Sequence, residues 1–166
     1  MHLVAKVLVV SDGVHEGTRE DRAGPKVVQR LNDAGWAVID HLVTADGIDE
    51  VAFSLRDMVA GFTGVVLTTG GTGLTPNDVT PEATRSVIQR EAPGFAEQMR
   101  AEGLKHTPHG LLTRGVSGIA GRSLIVNFPG SPKSIDQLFP VLAPTLKHVV
   151  RTLGGDSSHH ESDRAD

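Results

Sequence analysis

The run TTGGTGLTPNDVTPEAT, Thr68 to Thr84, gathers small residues, a carboxylate and a helix start in one short stretch. Gly70, Gly71 and Gly73 admit positive φ and, with Thr72, let backbone amides close around an anion. Asp78 adds a hard oxygen ligand. Thr80-Pro81-Glu82 then supplies a capping residue, a first-turn proline and an acid at a helix N-terminus. Such a place can hold a phosphate and the metal ion that accompanies it. Two further aspartates lie in glycine-containing loops, Asp12 in Ser11-Asp12-Gly13 and Asp46 in Thr44-Ala45-Asp46-Gly47. A fourth loop is Pro129-Gly130-Ser131-Pro132. Magnesium takes one or two carboxylates plus substrate phosphates, so Asp12, Asp46 and Asp78 are its candidate ligands. The ion would offset charge in phosphoryl or nucleotidyl transfer.

Two standard phosphate motifs are absent. No lysine follows the glycine loop, which excludes GxxxxGK[ST], and the third glycine of GxGxxG is replaced by Pro76. Taken singly, each loop reads as a plain turn and each aspartate as a turn former or cap. Asp49 is read as a helix cap. His106 and His109 straddle Pro108, with little to mark them as metal ligands. Arg85 and Arg90 read as a solvated helix face, whereas Arg114 is the better candidate for meeting an anion.

Position is what sets these loops apart. Lys6–Val10, Trp36–Val43, Val65–Thr69 and Ser123–Phe128 read as strands, and one of the four loops follows each. A helix opens at Gly24-Pro25 and ends at Gly35. A second carries Val51, Leu55, Met58, Val59 and Phe62 on one face, with Asp46 or Asp49 as its cap. A third runs from the Thr80 cap to about Glu91, and a fourth covers Phe95–Leu104. Leu111–Val116 reads as a strand joined to Ser123–Phe128 by a hairpin near Gly118–Arg122. The last helix carries Leu138, Val141, Leu142, Leu146, Val149, Val150 and Leu153, and Pro140 and Pro144 predict a kink or break in it. Strands alternating with helices imply an α/β domain with a mostly parallel sheet and helices on both faces. In such a sheet, ligands bind at the carboxyl ends of the strands near the switch in strand order, so all four loops would share one edge.

Composition narrows the rest. The chain has 166 residues, 39% of them hydrophobic, and is read as one domain over residues 1–153 with a polar tail at 154–166. A net charge of −4 leaves no broad basic field for nucleic acid. The absence of cysteine removes thiolate catalysis and zinc–sulfur sites and fits a reducing cytoplasm. The apolar run near the N-terminus is too short for a signal peptide, and no stretch approaches a membrane span.

The same residues resemble the molybdenum-cofactor biosynthesis family, and within it the molybdopterin adenylyltransferase (Mog) branch. TTGGTGLTPNDVTPEAT is similar to the family signature. PGFAEQMR at Pro93–Arg100 and LLTRGVSGIAGRSLIVNFPGSPKSI at Leu111–Ile135 match two further segments, and the VVSDG start and the Asp46 loop match as well. The resemblance implies a three-layer α/β/α fold with a β-hairpin, and a homotrimer. It implies that AMP passes from ATP to the terminal phosphate of molybdopterin with Mg²⁺ present, releasing pyrophosphate, and that a molybdenum-insertion protein acts downstream.

Carried over residue by residue, it makes Asp46 and Asp78 the catalytic, metal-holding pair. Ser11, Asp12, Gly70, Gly71, Thr72, Gly73, Thr113, Asn127, Pro129, Gly130 and Ser131 become substrate-binding residues. Gly13 and Asn77 depart from positions where the family often has a basic or larger residue. Related proteins supply two other readings, a non-catalytic pterin-binding or carrier protein and a nucleotide-recycling domain. Retention of DVTPEA favours the transferase over the first, and the PGFAEQMR and NFPGSPKSI matches disfavour the second.

Overall fold

The computed structural model describes residues 2–155, so the expected tail, with His159-His160, lies almost wholly outside the described residues. The chain runs β1 (Val4–Val10), α1 (Asp12–His15), α2 (Ala23–Asp33), β2 (Ala37–Thr44), α3 (Ile48–Val59) and β3 (Thr63–Thr69). Then come α4 (Thr80–Arg85), β4 (Arg90–Glu91), α5 (Gly94–His106), a 3₁₀ segment (Pro108–Leu112), β5 (Ser117–Ala120), β6 (Arg122–Phe128) and α6 (Pro132–Leu153). One sheet has the order β2-β1-β3-β6-β5-β4. Its first four strands are parallel, and β5 and β4 are antiparallel additions. This is an α/β fold with helices on both faces.

The apolar runs explain the layering. Strands covered on both faces need apolar residues at every position. On β1, Val7 belongs to a core with Val27, Leu31, Leu124, Leu138 and Leu146. Its neighbour Leu8 belongs to the opposite core, with Val51, Leu55, Met58, Val66 and Ile125. Among the described residues, no helix is long and apolar enough to cross a membrane.

Three local expectations are corrected. The helix beginning at Thr80 stops at Arg85 rather than Glu91. The amides of Gln89 and Ala92 donate to Ile119 and Ser117 of the adjoining strand at 2.9 and 3.0 Å, so sheet pairing outcompetes helix continuation. Gly118 permits this, because a Cβ there would stand 2.8 Å from the Arg90 carbonyl oxygen. Leu111 and Leu112 end the 3₁₀ segment instead of opening a strand. That segment packs on α5, where a Cβ on Gly110 would come within 2.8 Å of the Gly103 carbonyl carbon. Finally, α6 continues unbroken through Pro140 and Pro144. The two prolines lie four residues apart on the exposed side, where carbonyls left without a donor can turn to water.

The buried face of α6 is therefore one continuous surface across both prolines. Leu146, fully buried beyond Pro144, tests it. Leu146→Ala is expected to cost about 2–5 kcal/mol in urea unfolding. A cost near zero would show that the helix is not docked past Pro144.

Candidate active site

Parallel registry brings the strand ends level: Val10 pairs with Thr44, Val9 with Thr69, and Thr69 with Phe128. The loops that follow are tied to one another. The Asp12 amide donates to Asp46 Oδ2, and the Asp46 amide donates to Asp12 Oδ1, both at 2.8 Å. Asp46 therefore does not cap α3, whose N-cap is Gly47 with no side-chain cap bond. Ser11 caps α1, accepting from the Val14 amide at 3.3 Å. Gly70, at φ +98°, passes so close to β1 that a Cβ there would collide with the Val10 carbonyl oxygen. Gly71, at φ +64°, is closed in by the Thr80 hydroxyl, which donates to the Gly70 carbonyl at 3.0 Å. Thr80 thus fastens the glycine loop, and the α4 N-cap is Val79.

Arg114 holds the far end of that loop. Its amide donates to Thr72 O at 2.8 Å and its Nε to Gly73 O at 2.8 Å. Its guanidinium also donates to the Asp78 carbonyl and pairs with Glu82. The anion that Arg114 meets is Glu82, and its side chain spans both ends of the Gly73–Asp78 loop. The Asp78 carboxylate accepts from the Thr75 amide and hydroxyl at 2.9 and 2.8 Å, which turns the loop back on itself. The Arg114 guanidinium holds the Glu82 carboxyl below the usual range.

These loops line one side of a cavity of ≈ 730 Å³. Ser11, Asp46, Gly70, Gly71, Thr72, Gly73, Asp78, Thr113, Pro129, Gly130 and Ser131 all border it. The start of α6 opens onto it through Pro132 and Ser134, with Ser131 as the helix cap at 3.4 Å from the Ser134 amide. The positive end of a 22-residue helix therefore faces the cavity. Met99, Gly103, Thr107, His109 and Leu112, from α5, the 3₁₀ segment and the turn between them, also line it. Arg19 and Arg22 complete the rim.

Two expected site residues are placed off the wall. Asp12 reaches the cavity only through Asp46. Asn127 is fully buried, donating from Nδ2 to the hydroxyls of Thr68 and Thr84 at 2.9 and 3.0 Å. Its Oδ1 accepts from the Val116 amide at 3.1 Å, so it sets the path leading to Thr113. Asn77 is exposed and does not line the cavity. His106 pairs with Glu102 at 3.1 Å while His109 faces the cavity. Among the described residues, no group of three or more His, Cys, Asp or Glu side chains could hold a metal ion unaided.

Burial raises the Asp46 carboxyl above its ordinary value, the Asp12 amide opposes that, and the nearby charges of Asp12 and Asp78 add to it, with Arg19 acting in the other direction. The carboxylates at this end of the cavity thus repel one another, and a cation would relieve that repulsion.

Comparison with known proteins identifies the family. Residues 6–148 match the family described as "Probable molybdopterin binding domain". The chain belongs to this molybdopterin-binding family. It is 37% identical over 153 residues to the molybdopterin adenylyltransferase of Helicobacter pylori (strain J99), covering 90% of this chain and 87% of that one. It is 38% identical over 155 residues to the molybdenum cofactor synthesis protein cinnamon of Drosophila melanogaster, spanning only 26% of that longer protein. The crystal structure of a molybdopterin biosynthesis protein from Mycobacterium abscessus superposes with a TM-score of 0.86 at 35% identity, covering 92% of this chain and 96% of that one.

In this molybdopterin-binding domain, sequence reasoning missed the wall formed by Met99, Gly103 and His109. Nothing in the local pattern of α5 says which of its faces meets a cavity. The Arg114–Glu82 clip was equally hidden, since its partners are 32 positions apart.

The clip has a pH signature. A carboxyl whose folded pKa is depressed contributes stability above its unfolded pKa, and loses it as pH falls through the lower, folded value. Both side chains are more than a third exposed, so water screens the pair and its worth stays below about 1 kcal/mol. Glu82→Gln is expected to lower the urea midpoint slightly at neutral pH. The deficit should vanish in acid, below the ordinary glutamate range, and a deficit that persists there would exclude the ion pair as its cause.

Proposed function

We propose that this protein is a molybdopterin adenylyltransferase. The terminal phosphate of molybdopterin attacks the α-phosphorus of ATP, the bond to the α–β bridging oxygen breaks, and adenylyl-molybdopterin and pyrophosphate form. The observation that carries this reading is the cavity itself. It joins a glycine loop, a helix N-terminus and the carboxylates Asp46 and Asp78 at one sheet edge, beside a wall with the less polar residues Met99 and Leu112. Close relatives bearing the same activity in their names support it.

The residues suit a magnesium ion bound together with substrate phosphates. Asp46 and Asp78 offer hard oxygen donors, and a cation would offset the negative charge that Asp12 and Asp78 place near Asp46, whose carboxyl is raised chiefly by burial. When bound, the ion would neutralise charge on the triphosphate. The glycine-loop amides and the start of α6 would hold phosphate oxygens as charge shifts during transfer. No general base is required, because the attacking phosphate is already anionic. The protein's contribution is positioning and electrostatics.

Asp78→Asn tests the assignment. An asparagine Oδ1 can still accept from Thr75, so the loop and most pterin binding should survive. Turnover of molybdopterin, ATP and Mg²⁺ to adenylyl-molybdopterin should fall by about 10²–10³-fold. Pyrophosphate release at the unmutated rate would sink the assignment. Tight molybdopterin binding by the unmutated protein, with no ATP binding in calorimetry, would favour the carrier reading instead.

The homotrimer belongs to the same reading, as do a cytoplasmic location and a molybdenum-insertion protein that takes the product. Apolar side chains stand exposed on the edge strand β2 (Ile39) and on α3, which follows it (Ile48 and Phe53), with Phe53 73% exposed. Such a surface suits burial against another copy. Sedimentation equilibrium is expected to give three times the 17.6 kDa chain mass. A monomer mass at micromolar concentration would overturn the trimer.

A further inference from the structure

Around the cavity rim, most charged side chains already have partners. Arg22 pairs with Glu20 at 3.1 Å. Asp21 accepts from the Gly24 amide at 2.8 Å and lies 3.4 Å from His41 Nε2. Arg19 differs. It borders the cavity, and among the described residues its guanidinium has no ion pair or hydrogen bond with another side chain or a carbonyl.

Its place is nevertheless defined by the backbone. Gly17, at φ +77°, turns the chain back after α1. The amides of Thr18 and Arg19 then both donate to the Gly13 carbonyl at 2.9 Å, and the Thr18 hydroxyl donates to the same oxygen at 3.2 Å. This closes residues 13–19 into a compact loop and lays the Arg19 stem across Gly13. A Cβ at position 13 would stand 3.2 Å from Arg19 Cβ and 3.6 Å from its Nε. The missing side chain at Gly13 thus leaves room for the cation that residue 19 presents at the cavity Asp46 also borders.

We propose that Arg19, seated on Gly13, is a substrate-contacting residue for a polyphosphate and binds the part of ATP that leaves as pyrophosphate. This rests on the adenylyltransferase reading. A guanidinium offers two parallel donors to two phosphate oxygens and stays charged throughout. A polyphosphate arrives with a divalent cation, which the carboxylates of Asp46 and Asp78 on the same cavity wall accommodate. As the α-phosphorus–oxygen bond breaks, its electron pair stays on the bridging oxygen of the departing pyrophosphate. Arg19 would stand against that added charge.

Inorganic pyrophosphate with Mg²⁺, ATP with Mg²⁺, and molybdopterin are titrated separately into the wild-type protein and into Arg19→Gln and Arg19→Lys. Arg19→Gln is expected to weaken pyrophosphate and ATP by about 10- to 100-fold and to change molybdopterin affinity less than about 2-fold. Arg19→Lys should recover part of the loss. Gly13→Val, which displaces the Arg19 stem, should reproduce the loss and add nothing to it in the double variant. Equal pyrophosphate affinity in the wild type and Arg19→Gln overturns the proposal, and so does a loss confined to molybdopterin. If the wild type makes no adenylyl-molybdopterin while Arg19→Gln still loses pyrophosphate, the transferase reading fails and the polyphosphate contact stands.

Discussion

The site depends on how closely one stretch of backbone can pass the end of another. Between β1 and β3, where the strand order switches direction, Gly70 runs against the Val10 carbonyl with no space for a side chain. Gly130 of the next loop approaches the same place, with a Cβ position 3.3 Å from Gly70 Cα. Three loops therefore converge where side chains would hold them apart. The fourth is bound in by the reciprocal Asp12–Asp46 hydrogen bonds. Without that close approach the glycine loop and Asp46 would border different surfaces.

Convergence has an electrostatic consequence. Burial raises the proton affinity of Asp46 and the carboxylates gathered at one end of the cavity add to it, while the positive end of α6 and Arg19 border the same cavity. A site of mixed sign suits a ligand that itself carries phosphates and a cation. Rigidity comes from groups that need never touch such a ligand. Arg114 clamps the Gly73–Asp78 loop, Thr80 fastens Gly70, and the buried Asn127 ties β6 to the hydroxyls of Thr68 and Thr84. Satisfied buried networks of this kind specify one arrangement, because any other leaves polar groups unpaired.

Gly13 illustrates how a small departure can be rebuilt by the fold. In sequence it is simply a missing side chain after Ser11-Asp12. In three dimensions its carbonyl organises a tight loop, and its bare Cα is covered by Arg19 from six positions later. A one-dimensional pattern has no means of expressing that exchange.

Much of the architecture was legible in the chain. Short, β-branched apolar runs such as Val7-Leu8-Val9-Val10 read as strands covered on both faces, and each predicted parallel strand ended in a glycine-containing loop. The α/β class, the parallel strands and the common edge of four loops follow from those facts alone, because strand periodicity and turn chemistry are local. What failed was also physical. Helix α4 ended early because the edge of β5 competed for its amides, and α6 stayed whole because both prolines faced water. Arg114 and Asn127 were singled out in the chain, but their partners, and the place of Arg19, were decided only by tertiary structure. Each acts through partners distant in sequence or through the vacant space above a glycine, and no local pattern encodes either.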